Sequence, residues 1–392
     1  MIGGGTVAMV QPFAFKSAGI GLTLIFMLII LVFCDYTQKL LFRSSRIAGK
    51  AGRTYEDLGR VAFGERGVKV TQIVEVLNTF GVLIAYQVII ADQSDILKRW
   101  LSDDFILLRW HSKLFLLVAV VAVIMPVSMA RTMKFLAIPS MLSLLAIGIT
   151  GVAIIVRGIE HAGSATKSSQ IPSCSVEFFK FETNLLLALP IVTLAFTSHI
   201  NYLHTTDALK RPTPGRVALV SHTSMILSAV FYIAVGILGY STFCDSTPSD
   251  ILVGYSPSDD LIQVSRVLMI ISFMFSYPLL CFPCRNAVTQ ILFKGKPFSW
   301  PRHISITLII VVLTYLVAIS VPNLGVVVGF IGSITATALS LTLPTAYYLK
   351  IADGPITSAD KLPALAVLIL GTSFGIAATA ASIYNITQGN TE

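Results

Sequence analysis

Apolar runs of about twenty residues, separated by short polar loops, recur along almost the whole chain. A run of that length closes its backbone hydrogen bonds internally as a helix and spans the hydrocarbon core of a bilayer. Eleven spans are predicted, at 1–16, 19–42, 70–93, 112–130, 134–156, 183–205, 216–240, 261–284, 303–321, 325–349 and 362–384. The first is short because the chain starts within it. The predicted fold class is all-α: a polytopic membrane protein of about 11 transmembrane helices.

Two spans are interrupted. The first carries Gly3-Gly4-Gly5 and Pro12, and the sixth carries Pro190 followed by Thr193, Thr197, Ser198 and His199. Glycine costs a helix interior about 1 kcal/mol relative to alanine, and proline removes a backbone donor. Broken backbone at membrane depth survives where it is packed in protein or lines a wet cavity, which makes such breaks pointers to a transport site. The two breaks lie five spans apart, as expected for two five-helix repeats of opposite orientation meeting at a midplane site. There a half-helix N-terminus offers N–H groups to a carboxylate, while freed carbonyls suit a cation. The competing reading is a simple kink at Pro190, with Thr197 and Ser198 bonded back to carbonyls one turn earlier.

The charges orient the bundle. Of the 392 residues 55% are hydrophobic and only 12% charged, which excludes a soluble enzyme. The net charge of +8 sits in short loops and does not signal nucleic-acid binding. Arg43, Arg46, Lys50, Arg53, Arg60, Arg66 and Lys69 share one side with Arg131, Lys134, Lys210, Arg211, Arg216, Arg285, Lys294, Lys296, Arg302, Lys350 and Lys361. The opposite loops hold Asp103, Asp104, Asp245, Asp250, Asp259 and Asp260. The positive-inside rule then makes the N-terminus cytoplasmic and the C-terminus extracytoplasmic. Cys174 and Cys244 both fall on the oxidising, extracytoplasmic side, which predicts a disulfide between them. Asn385-Ile386-Thr387 is a glycosylation sequon on that side, but it starts too close to the last span to be an effective acceptor.

Further polar residues in the spans add candidate chemistry. His199 reads either as a pH-sensing or proton-relaying group, or as a neutral histidine donating to a nearby carbonyl. Ser272 and Ser276 share one helix face, and with carbonyls freed around Gly3 they form a candidate sodium site. The same serines equally suit a small-residue packing face. Gly329 to Ser333, with Thr335 and Thr337, form a small-residue face in the tenth span that packs closely or gates. Asp35 and Glu75 lie toward the cytoplasmic ends of their spans and read as interfacial or ion-paired.

Several stretches, in order, resemble the amino acid/auxin permease family, and in particular its sodium-coupled neutral amino acid transporter branch of system A and N type. They are Thr54-Tyr55-Glu56-Asp57-Leu58 with Phe63-Gly64; Gly81 with Ile84-Ala85-Tyr86 and Ala91-Asp92; Pro126 to Arg131 and Ser140; and Phe196-Thr197-Ser198-His199. Gly239-Tyr240-Ser241-Thr242-Phe243, Tyr277-Pro278, Phe282-Pro283-Cys284-Arg285, and Gly332 with Leu343-Pro344 complete the set. The resemblance implies a five-plus-five inverted-repeat, leucine-transporter-like fold with a peripheral eleventh helix. It implies an extracytoplasmic disulfide, matching Cys174 and Cys244. It also implies an amino acid held between helices one and six, and sodium bound partly by the hydroxyl of Ser276. Two features depart from the family pattern: its asparagine before the Gly-x-Gly would fall before Met1, and Gly5 to Pro12 is about two residues longer than usual.

The expected function is secondary active transport of neutral L-amino acids of glutamine or alanine type, coupled to sodium or protons by alternating access. No enzyme activity and no cofactor beyond the coupling ion are expected. The substrate site is assigned to Gly4, Gly5, Thr6, Phe196, Thr197 and Ser198, the ion site to Gly3, Ser272 and Ser276, and pH sensing to His199. The alternative is a non-transporting amino acid sensor or scaffold of the same fold, for which a long cytoplasmic tail would be expected. The expected partners are an amino acid and the lipid bilayer, the expected state a monomer, and the expected membrane the plasma or a lysosomal or vacuolar membrane. The domain reading is a first repeat at 1–156, an extracytoplasmic loop at 157–182, a second repeat at 183–349, and the eleventh span with a short tail at 350–392.

Overall fold

The computed structural model describes residues 5–100, 112–130, 137–165, 176–181, 185–321 and 324–387. Those residues form helices joined by turns and short irregular segments. In chain order the helices are α1 (Gly5–Ala48), α2 (Tyr55–Trp100), α3 (Ser112–Ala119), α4 (Met125–Ser128), α5 (Ala137–Ala165), α6 (Leu185–Phe196) and α7 (His199–Ala208). They continue with α8 (Pro214–Phe243), α9 (Ile251–Gly254), α10 (Asp260–Phe293), α11 (Trp300–Ala318), α12 (Leu324–Phe330), α13 (Leu343–Ile351) and α14 (Leu362–Thr387). Wider π turns join α3 to α4 and α12 to α13. Among the described residues nine helices are long and apolar enough to cross a membrane, and Lys113–Ser128 is a shorter apolar one. Large apolar side chains such as Met141 and Leu145 on α5 stand 71% and 62% exposed, a surface suited to lipid and not to water.

Two glycines in left-handed backbone fold single helices into elbows. Gly19 (φ 78°) divides α1 into arms 5–18 and 20–48, which correspond to the first two predicted spans. A Cβ there would lie 2.9 Å from the carbonyl oxygens of Glu177 and Phe178. Those same carbonyls accept from the N–H groups of Ile20 (3.1 Å) and Gly21 (2.7 Å), and the Lys180 N–H donates to Ala18 (3.1 Å). The segment 176–181 thus straps the elbow and satisfies backbone groups that the break would leave unpaired. Gly64 (φ 64°) bends α2, so that a Cβ on Gly67 would lie 2.7 Å from the Gly59 carbonyl carbon. The short limb ahead of that bend starts at a capping box: the Asp57 N–H donates to Thr54 Oγ1 (3.1 Å) and the Thr54 N–H to Asp57 Oδ2 (3.3 Å).

Pro12 requires a correction. It was expected to interrupt the first span, yet the backbone is helical through it and the break comes at Gly19. The reason is a close fit: a Cβ on Gly239 of α8 would lie 2.6 Å from Pro12 Cγ, and one on Gly236 would lie 2.7 Å from Phe15 Cδ2. The two small residues let the first arm sit flush on α8, and that contact holds the proline in helical backbone.

Side-chain contacts sort the loops into two ends. At the basic end Lys294 pairs with Glu65 (2.5 Å), and buried Arg285 donates to the carbonyls of Ser128 (2.5 Å) and Ala130 (3.2 Å). At the acidic end Lys16 donates to the Thr247 carbonyl (3.1 Å), Lys180 pairs with Asp245 (3.0 Å), and Arg157 pairs with Asp259 (2.7 Å). Alternate loops therefore gather at opposite ends. The sequon falls inside α14, and Cys34, Cys281 and Cys284 are free thiols. Cys174, the expected partner of Cys244, lies outside the described residues.

Candidate functional site

The sixth span is discontinuous. α6 ends at Phe196, Thr197 and Ser198 are not helical, and α7 restarts at His199. Pro190 is not the break: it sits inside α6, where its backbone faces Gly332. The break falls instead one turn after Thr193, at Thr197-Ser198. Both competing readings of the threonines and serines contribute. Thr193 Oγ1 donates to the Leu189 carbonyl (2.9 Å) and Thr197 Oγ1 to the Thr193 carbonyl (2.8 Å), the back-bonding pattern of a kinked helix. Ser198 does not bond back. Its hydroxyl accepts from Gln38 Nε2 (2.9 Å), and as the N-cap of α7 it makes no side-chain capping bond.

The gap therefore presents opposed helix ends: carbonyls at the close of α6 and uncapped N–H groups at the start of α7. Partial negative charge at the first and positive charge at the second can hold an ammonium and a carboxylate. Phe196 is fully buried and meets Tyr232 of α8 edge-on, with ring centroids 6.2 Å apart. α1 packs along α6 and α8. Gly5 and Thr6 lie in the opening turn of α1, whereas Gly3 and Gly4 lie outside the described residues.

The polar residues flanking the break were not singled out from the sequence. Ser221 of α8 donates to Gln38 Oε1, so Gln38 bridges α8 to Ser198. Thr37 Oγ1 lies 2.9 Å from His199 Nε2 and donates its own proton to the Phe33 or Cys34 carbonyl. With that proton committed, Thr37 accepts, which assigns the neutral Nε2–H tautomer to His199. His199 Nδ1 is buried without a partner. Asp35 is occupied by Lys39 (2.6 Å) and His222 Nδ1 (3.2 Å). Thr37 and Gln38 looked like ordinary residues of an apolar run, and only the position of the break beside them gives them a role.

On α10, Ser276 Oγ lies 2.8 Å from Ser143 Oγ of α5, and Ser143 also donates to the Ser272 carbonyl (3.2 Å). Ser272 Oγ is buried and unpartnered. The Ser143 and Ser276 hydroxyls and the Ser272 carbonyl thus converge between α5 and α10, hard oxygen donors of the type sodium takes, and the unpartnered Ser272 Oγ belongs to the same residue. Ser143 was missed because nothing in the sequence links the fifth span to the eighth.

The small-residue face of the tenth span packs against the sixth. A Cβ on Gly332 would lie 2.5 Å from the Pro190 carbonyl carbon. Thr335 Oγ1 donates to Asn78 Oδ1 (2.9 Å), linking the same face to α2. Two consecutive π turns, Ile331–Ala336 and Ala338–Thr342, widen this span beside the break.

Comparison with known proteins gives a consistent result. The chain matches the family described as transmembrane amino acid transporter protein over residues 1–388. It is 29% identical over 379 residues to a putative sodium-coupled neutral amino acid transporter 11 of Danio rerio, covering 95% of this chain and 81% of that one. It is 26% identical over 382 residues to sodium-coupled neutral amino acid symporter 2 of the same organism, covering 92% and 75%. Among solved structures it resembles MhsT in complex with L-phenylalanine, at 14% identity, 97% coverage of both chains and a TM-score of 0.60. A manganese transporter of Eremococcus coleocola matches at 16% identity and a TM-score of 0.51, covering 98% of this chain and 87% of that one. These structural likenesses establish the fold, which is the five-plus-five, leucine-transporter-like fold expected from the sequence.

Proposed function

The chain belongs to the transmembrane amino acid transporter protein family, and from that premise we propose that it carries neutral L-amino acids across a membrane, coupled to sodium or protons. It is an integral membrane protein and not an enzyme. The observation that carries the proposal is the break at Thr197-Ser198, where helix ends of opposite polarity face a gap inside the bundle. A zwitterion is the ligand such a gap suits. The ammonium is assigned to carbonyls at Phe196, Thr197 and Ser198, and the carboxylate to the N–H groups opening α7 together with those around Gly4, Gly5 and Thr6.

Sodium is the preferred driving ion, because Ser143, Ser272 and Ser276 supply neutral oxygens and Ser272 Oγ is buried with no other partner. The two named relatives are sodium-coupled by their names, which supports the same choice. Residues 1–156 and 183–349 are the two repeats that rock against each other, with the basic end facing the cytoplasm and Cys174 paired to Cys244 at the other end.

The test is radiolabelled uptake of a panel of amino acids into proteoliposomes, with sodium replaced by choline at two pH values. Sodium-dependent uptake of small neutral amino acids is expected. Gly5→Leu, which blocks close approach of the ligand to the α1 backbone, is expected to abolish uptake while leaving folded protein. Full uptake by that variant would remove the first arm of α1 from the site. Substrate-dependent thermal stabilisation without flux would identify a sensor instead.

A further inference from the structure

We propose that a groove at the basic end, between the C-terminal part of α1 and the start of α8, is a binding site for an anionic phospholipid of the adjoining leaflet. The groove encloses about 480 Å³ and is walled by α1, α7, α8 and α13. Its chemistry divides sharply. Lys39, Arg43 and Arg46 project from one side of α1, at spacings of four and three residues that place them on one helix face. The remaining wall is apolar or aromatic, with Phe42, Val217 and Tyr348 prominent. A ligand that fills such a site carries negative charge at one end and hydrocarbon at the other. A free phosphate would leave the apolar wall uncovered, and a zwitterionic lipid would leave the cations unmatched.

The cations are available. Lys39 already pairs with Asp35, but among the described residues Arg43 and Arg46 have no carboxylate partner. Arg46 instead lies over the Phe42 ring, with its guanidinium carbon 6.0 Å from the centroid, so the aromatic wall holds it at the groove. Arg43 and Arg46 are both exposed, at the membrane-proximal end of a helix whose apolar body lies in the bilayer. The neighbouring turn adds Lys210, Arg211 and Arg216, and Val217 follows directly. Basic pockets between transmembrane helices at a cytoplasmic surface favour anionic headgroups, and these charges also suit the inner leaflet. Neither Thr197 nor Ser198 lines the groove, and its occupancy does not depend on which amino acid the protein carries.

The experiment is native mass spectrometry of the full chain released from nanodiscs holding equal phosphatidylserine and phosphatidylcholine, with apparent melting temperature measured in parallel. Preferential retention of phosphatidylserine is expected. The double variant Arg43→Gln/Arg46→Gln is expected to lose that preference by roughly tenfold or more. Ala218→Trp, which fills the apolar part and leaves every cation in place, is expected to lose it as well. Lys296→Gln/Arg302→Gln, at basic residues outside the groove, is expected to keep it. Equal retention of both lipids by the unaltered protein would overturn the proposal. So would full retention by Ala218→Trp, which would mean surface charge alone. Displacement of phosphatidylserine by millimolar glycerophosphoserine would also overturn it in favour of a free-anion site.

Discussion

The contact between Gly332 and Pro190 makes the most quantitative prediction. A Cβ on Gly332 would lie 2.5 Å from the Pro190 carbonyl carbon and 2.7 Å from its Cα, and closer still to its carbonyl oxygen. All three are backbone atoms, so no side chain can rotate away. Carbon atoms pack comfortably at about 3.5 Å or more, so Gly332→Ala must open the sixth and tenth spans by roughly 1 Å. Overpacking of a close interior costs about 1–3 kcal/mol, and two opposed backbones place this site in the upper half of that range. Alanine recovers up to about 1 kcal/mol of helix propensity, less here because the segment is a π turn. Gly148→Ala is the internal control: its Cβ would meet nothing within 4 Å, so it keeps the propensity gain without the clash. The assay compares apparent melting temperatures of both variants in one detergent and uptake by both in proteoliposomes. Gly332→Ala is expected to melt several degrees below Gly148→Ala and to lose most uptake, because the displaced carbonyl lies within two turns of the Thr197 break. Equal melting and equal uptake in the two variants would refute the reasoning.

Three further outcomes are expected. Gln38→Leu leaves Ser221 and Ser198 without their bridge at a buried site, and a stability loss of about 1–3 kcal/mol with reduced uptake should appear in melts and flux assays; unchanged behaviour would exclude the bridge. Ser143→Ala should raise the sodium concentration for half-maximal uptake severalfold, alongside a stability loss of about 1 kcal/mol from its lost hydrogen bonds to Ser276 and the Ser272 carbonyl; an unaltered sodium dependence would separate Ser143 from the ion site. Burial pushes the Asp250 carboxyl at the acidic end up to about 6, against the opposing hydrogen bonds from Gln93 and the Leu252 N–H and the charge of Arg266. A raised carboxyl favours the folded state while protonated, so this contribution is complete below about pH 4 and is lost as pH rises through about 6. Asp250→Asn should therefore flatten the decline in melting temperature over that window, by an amount corresponding to about 2–3 kcal/mol. Parallel curves for the two proteins would count against it.

Much of this was legible in the chain. The apolar runs fixed the spans because a lipid-facing helix must be apolar along about 20 residues. Alternating basic loops then predicted which loops share an end, as Lys294 with Glu65 and Lys180 with Asp245 bear out. The two residues at the sixth-span break were also visible, since proline and clustered hydroxyls are rare together in an apolar run. Pro12 misled because its cost in a helix is a local quantity, while its compensation, the fit onto Gly236 and Gly239, comes from a helix more than two hundred residues away. The elbow strap had no local signal either, because residues 176–181 bond through backbone groups that every residue carries.

What the sequence determined by itself is the solvent of each segment: hydropathy is additive along a run, so the apolar membrane-spanning segments and the all-α class follow from counting. What only the tertiary structure decided is which polar groups meet. Thr37 beside His199, Gln38 between Ser198 and Ser221, and Ser143 against Ser276 each join residues more than a hundred positions apart. Inside a bilayer no water is present to satisfy a lone hydroxyl or amide, so each of these groups takes its role from the neighbour that packing supplies.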